Sequence, residues 1–190
     1  VFYMNHIIDA SKRMQVLVRD LLDYSKVQGT DIEFTNIESQ KCLSEALENL
    51  KQIAEETKAE ITWDEMPLIR CNHIRLIRLF QNLIGNAIKY RDQNVTPKIH
   101  IGVEEGEKAW TFSVSDNGIG IPKEHLEKIF VLFKRLHNKD EYSGTGIGLA
   151  ICEKIVESLN GRLWVTSEVG IGSIFYFSVP KTPNTKKDGE

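Results

Sequence analysis

Asn82, Asn86 and Lys89 stand at spacings of four and three, so on a helix they share one face while Leu83, Ala87 and Ile88 point elsewhere. Two amides and a lysine are poor material for a helix core. They offer neutral oxygen to a hard cation and a positive charge to a phosphate. Two glycine clusters follow: Asp116-Asn117-Gly118-Ile119-Gly120 after a strand pattern, and Gly144-Thr145-Gly146-Ile147-Gly148 before a helix pattern. Glycines at alternate positions ahead of a helix turn several backbone N–H groups toward one point, where the helix dipole adds positive charge. Such a point takes a phosphate. An aspartate at a strand end, set in tight glycine turns, can accept from an exocyclic amine. Taken alone, either cluster is also a plain turn and the polar helix face a solvated one; together they point to a nucleotide. Neither cluster is a P-loop, and Leu149 occupies the place where a dinucleotide-binding fingerprint needs its third glycine.

The elements that must hold these residues can be read from the same text. Asn72 is a plausible N-cap for the helix that carries the amides and runs to about Tyr90. Upstream, Ile32, Phe34 and Ile37 alternate as a short strand, and Ser39 reads as the cap of a helix carrying Leu43, Ala46, Leu47, Leu50, Ile53 and Ala54. Short strands at 61–63 and 68–71 flank Pro67. Strands near 98–104 and 109–115 join at Gly106, a helix from about Ile147 to Leu159 closes at Asn160-Gly161, and 162–168 with 173–179 form a hairpin. The late turns are too short for anything but antiparallel pairing. An α/β (α+β) two-layer sandwich is expected, with helices on one face of a mixed sheet.

Residues 1–28 hold no Gly or Pro, and Tyr3, Ile7, Ala10, Met14, Leu17, Leu21 and Tyr24 repeat at alternating spacings of four and three. That is a heptad seam, widened by Val18 and Leu22, suited either to a helical bundle or to its own domain. The chain opens on Val1 rather than Met and reads as a piece of something longer, with 181–190 as a frayed tail. With 24 basic against 27 acidic residues, the net charge of -3 gives no field to draw nucleic acid or an anionic membrane. No apolar run nears the roughly 18 residues of a membrane span, so no membrane contact is expected from this stretch. Cys42, Cys71 and Cys152 make no C-x-x-C, and a reducing cytoplasm is the simplest setting.

Four motifs in order now resemble those of sensor histidine kinases of two-component systems. Asn82-Leu83-Ile84-Gly85-Asn86-Ala87-Ile88-Lys89-Tyr90 resembles the N box, Asp116 to Gly120 the first glycine box, Phe130-Val131-Leu132-Phe133 the F box, and Gly144 to Leu149 the second glycine box. The match covers about 31–180 and implies the GHKL-type ATP-binding fold shared with gyrase, a heat-shock chaperone and mismatch-repair ATPases. Phe133 to His137 with Glu141-Tyr142-Ser143-Gly144 is similar to the phytochrome-type branch. The resemblance implies ATP and Mg²⁺ as ligands. Asp116 would take the adenine amine, with Ile121, Tyr90 and Ser173 near the base and Gly118 and Gly120 shaping the turn. Asn86 would hold Mg²⁺, Lys89 and Arg135 would contact phosphates, and Gly144, Thr145, Gly146, Ile147, Gly148 and Leu149 would wrap the β- and γ-phosphates. Residues 122–144 would be a mobile lid.

Ala10 to Gln15 and Asp20 to Ser25 resemble the second helix of the dimerisation and phosphotransfer hairpin, through which the full-length protein would form a homodimer. The phosphoacceptor belongs to the first helix, and none of His6, His73, His100, His125 and His137 sits in such a motif. Where ATPases of the superfamily place a Glu four residues before the metal-binding Asn, this chain has Asn82, which is no general base. The resemblance therefore implies a protein-histidine kinase that hands the γ-phosphate to a histidine elsewhere and onward to the receiver domain of a response regulator. A nucleotide-dependent interaction module without turnover, and a protein-serine kinase on the same fold, are the rival readings.

Overall fold

The computed structural model describes residues 34–134, 136 and 145–181, together with scattered helical positions between 11 and 25. Its strands are β1 (Thr35–Glu38), β2 (Glu60–Trp63), β3 (Leu68–Cys71), β4 (Lys98–Glu105), β5 (Ala109–Asp116), β6 (Leu163–Glu168) and β7 (Gly172–Pro180); its helices are α1 (Ser39–Thr57), α2 (His73–Lys89) and α3 (Gly148–Ser158). Five strands make one mixed sheet in the order β2-β4-β5-β7-β6, and β1 pairs β3 in a separate ribbon. The β4–β5 and β6–β7 pairs are antiparallel, as their short turns require; β5 and β7 also pair antiparallel, while β2 pairs β4 in parallel. The long excursion through β3 and α2 is what permits that parallel pair.

Alternation along the strands decides which face is covered. Ile99, Ile101, Phe112, Val114, Phe175, Phe177 and Val179 are buried beneath the helices, while Tyr176 and Trp164 stack on the other face with centroids 5.2 Å apart. Leu76, Leu79, Phe80, Leu83, Ile84 and Ile88 form the buried stripe of α2. Phe80 meets Phe112 and Phe177 edge-on at 6.1 and 5.9 Å, and those two stack at 4.8 Å. This aromatic triangle fixes α2 against the sheet, and with it the face that carries the amides.

Local signals held for α2, whose N-cap Asn72 accepts from the Arg75 N–H at 3.2 Å. Ser39 departs from expectation. It is the first residue of α1, its hydroxyl donates to the Pro67 carbonyl at 2.5 Å, and the N-cap Glu38 makes no side-chain cap. A buried hydroxyl takes the carbonyl the tertiary fold offers it. The heptad seam also divides: Leu17 and Tyr24 pack against the core, whereas Met14, Val18, Leu21 and Leu22 are exposed. At roughly 100° per residue, Leu17 and Tyr24 lie on one border of the apolar stripe, so one helix serves two faces. No helix among the described residues is long and apolar enough to cross a membrane.

Candidate functional site

The strand end of β5 places Asp116 in a half-buried position where its carboxylate Oδ1 accepts from the Gly118 N–H at 2.8 Å and the Ser173 N–H at 3.2 Å. Burial pushes this carboxyl above the ordinary carboxylate range, against the opposing pull of those two hydrogen bonds. With Oδ1 doubly engaged, Oδ2 is the oxygen left for a ligand. Asn117, which the sequence did not single out, pins the neighbouring loop by accepting from the Lys98 N–H and donating to the Thr96 carbonyl.

Close backbone approach explains the glycines. A Cβ on Gly118 would strike the Tyr90 carbonyl, which also receives the Ile119 N–H at 3.0 Å. Gly120 has φ +72°, and a Cβ there would strike the Glu168 carbonyl. The loop after β5 is thus interlocked with the end of α2 on one side and the β6–β7 hairpin on the other.

Asn82, Asn86, Lys89 and Tyr90 are all half-buried along one ribbon of α2. At its far end, Asn82 Oδ1 lies 3.1 Å from where a Cβ on Gly148 would be, and its Nδ2 is buried. Its carboxamide is therefore turned to the start of α3, and an amide cannot take up a proton from water in any case. At the near end Lys89 Nζ donates to the Tyr90 hydroxyl at 2.7 Å and sits 4.1 Å from that ring's centroid. The ribbon spans the two glycine clusters, about 12 Å from Asn82 to Tyr90 at helical rise.

The second cluster leads into α3 through Gly146, with φ +74°. Its carbonyl receives the Phe133 N–H at 3.0 Å, so the F-box segment and the glycine loop are joined. The N-cap of α3, Ile147, supplies no side-chain acceptor for the first N–H groups, which leaves them open to water or to an anion. Thr145 Oγ1 meets the Ile147 N–H at 3.4 Å. Ile147 is fully buried and Leu149 packs on the core, so only their backbone faces a ligand. Arg135 and Gly144 lie outside the described residues.

The donor set fits a nucleotide with a hard cation. The Asp116 loop presents a carboxylate oxygen outside the two hydrogen bonds that engage Oδ1, and the start of α3 presents N–H groups with no side-chain cap. Among the described residues no group of three His, Cys, Asp or Glu could hold a metal, so a cation here would draw on the Asn86 amide oxygen and on phosphate oxygens, the manner of Mg²⁺.

Residues 71–183 match the model of the histidine kinase-, DNA gyrase B- and HSP90-like ATPase family. The chain belongs to that family. Its ATP-binding domain is of the sensor histidine kinase kind: cyanobacterial phytochrome A of Nostoc sp. is 49% identical over 178 residues, which cover 94% of this chain and 23% of the phytochrome. The catalytic domain of the histidine kinase ThkA in nucleotide-free form superposes with a TM-score of 0.68 at 29% identity, covering 80% of this chain and all of that one. ThkA in complex with the response regulator TrrA superposes with a TM-score of 0.74 at 26% identity, over 97% of this chain and 52% of that one.

Proposed function

We propose that residues 31–180 bind Mg-ATP along the polar ribbon of α2 and present its γ-phosphate to a histidine on a helical hairpin, of which residues 1–28 are the second helix. The observation that carries this is the ribbon itself. One end of it meets α3 at Gly148 and the other meets the Asp116 loop at Gly118, a span suited to an elongated nucleotide rather than a bare phosphate. Asp116 Oδ2 takes the adenine amine, with Ile121 and Tyr90 beside the base. Asn86 holds the cation, Lys89 leaves the Tyr90 hydroxyl for a phosphate oxygen, and the N–H groups from Thr145 to Leu149, with Gly144, enclose the terminal phosphates. Arg135 adds a positive charge. Bound Mg²⁺ would neutralise developing charge on the phosphates.

Asn82 holds the start of α3 and provides no base, so the cleft orients ATP and leaves attack to an incoming nucleophile. A histidine as that nucleophile is supported by the family and by the N-terminal helix, whose exposed Met14, Val18, Leu21 and Leu22 suit a homodimeric bundle. From the phosphohistidine the phosphoryl group passes to a response regulator aspartate, the partner class that the ThkA complex illustrates for ThkA. Three free, buried cysteines fit a cytoplasmic setting. The decisive experiment combines labelled ATP, this chain, and a longer relative that has its acceptor histidine but a disabled nucleotide site. Acid-labile label on that histidine is expected. Acid-stable label on serine, or nucleotide binding with no transfer, would reject the assignment.

A further inference from the structure

Strand register lines up Asp116, Ser173 and Ser167 side by side across β5, β7 and β6: Asp116 pairs Ser173, and Ser173 pairs Ser167. All three belong to the helix-covered face, since Phe112 and Val114 precede Asp116 on it, and Phe175 and Phe177 follow Ser173. The Ser167 hydroxyl has three partners. It receives the Ile121 N–H at 2.7 Å, donates to the Gly172 carbonyl at 2.9 Å, and lies 2.9 Å from Ser173 Oγ.

Donor arithmetic leaves one solution for the hydrogens. A backbone N–H only donates and a carbonyl only accepts, so the single Ser167 hydrogen is spent on Gly172. In the Ser167–Ser173 contact the hydrogen must then come from Ser173. Ser173 Oγ, with its hydrogen committed to Ser167, turns only lone pairs toward Asp116, which offers only the acceptor Oδ2. The same Ser167 oxygen holds the backbone of Ile121, in the loop that follows β5.

We infer that Ser167 is a positioning residue that fixes the pocket beside Asp116 as acceptor-only, so that it selects a purine whose edge carries an exocyclic amine and rejects one carrying a carbonyl there. The inference rests on the reading of Asp116 as the base-binding carboxylate and adds the source of base selectivity, acting through Ser173. Adenine meets the requirement through its 6-amino group. Hypoxanthine, with a 6-oxo group in the same place, sets acceptor against acceptor. Removing the Ser167 hydroxyl frees the Ser173 hydrogen to rotate and donate to such a carbonyl, so selectivity falls through improved binding of the wrong base.

The test measures the affinity of the whole chain for ATP and for inosine triphosphate, with Mg²⁺, in wild type, Ser167→Ala, Ser167→Thr and Ser173→Ala. Wild type is expected to favour ATP, and Ser167→Ala to reduce the ATP-to-inosine ratio on the order of tenfold, with affinity for inosine triphosphate held or raised. Ser167→Thr keeps a hydroxyl on a strand that tolerates β-branching and restores the ratio. Ser173→Ala keeps the inference falsifiable should Ser167→Ala fail to fold: it removes an acceptor that only ATP uses, so ATP affinity falls alone. Equal loss for both nucleotides in Ser167→Ala, or an unchanged ratio in Ser173→Ala, would make the serines plain scaffolding and overturn the inference. No ATP binding by wild type would overturn the reading of the site; ATP binding weakened by Asp116→Asn with an unchanged serine ratio would overturn this inference alone.

Discussion

In Asp116→Asn the retained Oδ1 can still accept the N–H groups of Gly118 and Ser173, which lie 2.8 and 3.2 Å from it in the wild type. Only Oδ2 changes, from a carboxylate acceptor to an NH₂ donor, and it then faces the donating amine of adenine. A hydrogen bond to a charged group contributes about 1.5–3 kcal/mol, so the loss amounts to roughly 10- to 150-fold in ATP affinity. Stability moves the other way. Because burial raises the Asp116 carboxyl, the folded state holds that proton more tightly than an unfolded chain with a pKa of about 3.9. The contribution to stability is full below the unfolded value and is lost as pH rises through the raised native one. Asparagine never ionises, so the nucleotide-free variant is expected to be at least as stable as wild type at neutral pH, with less fall across the weakly acidic range. Calorimetric ATP titration and thermal melts over a pH series measure both halves. Unchanged ATP affinity would refute the adenine role, and a variant less stable at neutral pH would refute the account of the loop.

Other substitutions probe other parts of the cleft. Asn86→Ala is expected to lower nucleotide affinity more with Mg²⁺ than with chelator, and equal losses would make Asn86 a packing residue. Gly120→Ala combines a positive φ with a collision at the Glu168 carbonyl, so denaturant melts are expected to show a loss of about 1–3 kcal/mol or more. Phe112→Ala opens the aromatic triangle and is expected to cost about 3–5 kcal/mol in the same assay. Burial pushes the Cys42 thiol up to about 11 and the Cys71 and Cys152 thiols to about 12; native protein is expected to resist alkylation at pH 8 that the unfolded chain undergoes, as mass spectrometry would show.

What could be read in advance followed locality. The α2 helix was legible because its cap, its apolar stripe and its polar ribbon are all written within 72–90. The hairpins were legible because short turns leave one way to pair. The parallel β2–β4 pair was not assigned, since it depends on where a long crossover returns the chain. Ser39 looked like a cap because its true acceptor, the Pro67 carbonyl, is 28 residues away. Ser167 carried no signal at all: Ser173 meets it through strand register and Ile121 through the loop after β5, although its place in a strand beside Gly170-Ile171-Gly172 is plain. The seam of the N-terminal helix was visible as a stripe, but which border would turn to the core depends on the surface it lies on.

If Asp116 takes the adenine as proposed, its pairing with Ser173 ties nucleotide recognition to the alignment of the sheet. A slip of β7 by one residue against β5 would set Gly172 or Ile174 opposite Asp116 and turn every side chain of β7 to the wrong face. Such a misaligned chain would keep its hydrogen-bonded ladder yet be blind to ATP. Since a ligand stabilises only the state that binds it, ATP present during refolding would draw the population toward the correct alignment. The nucleotide would then act as a proofreader of the sheet as well as the donor of a phosphate.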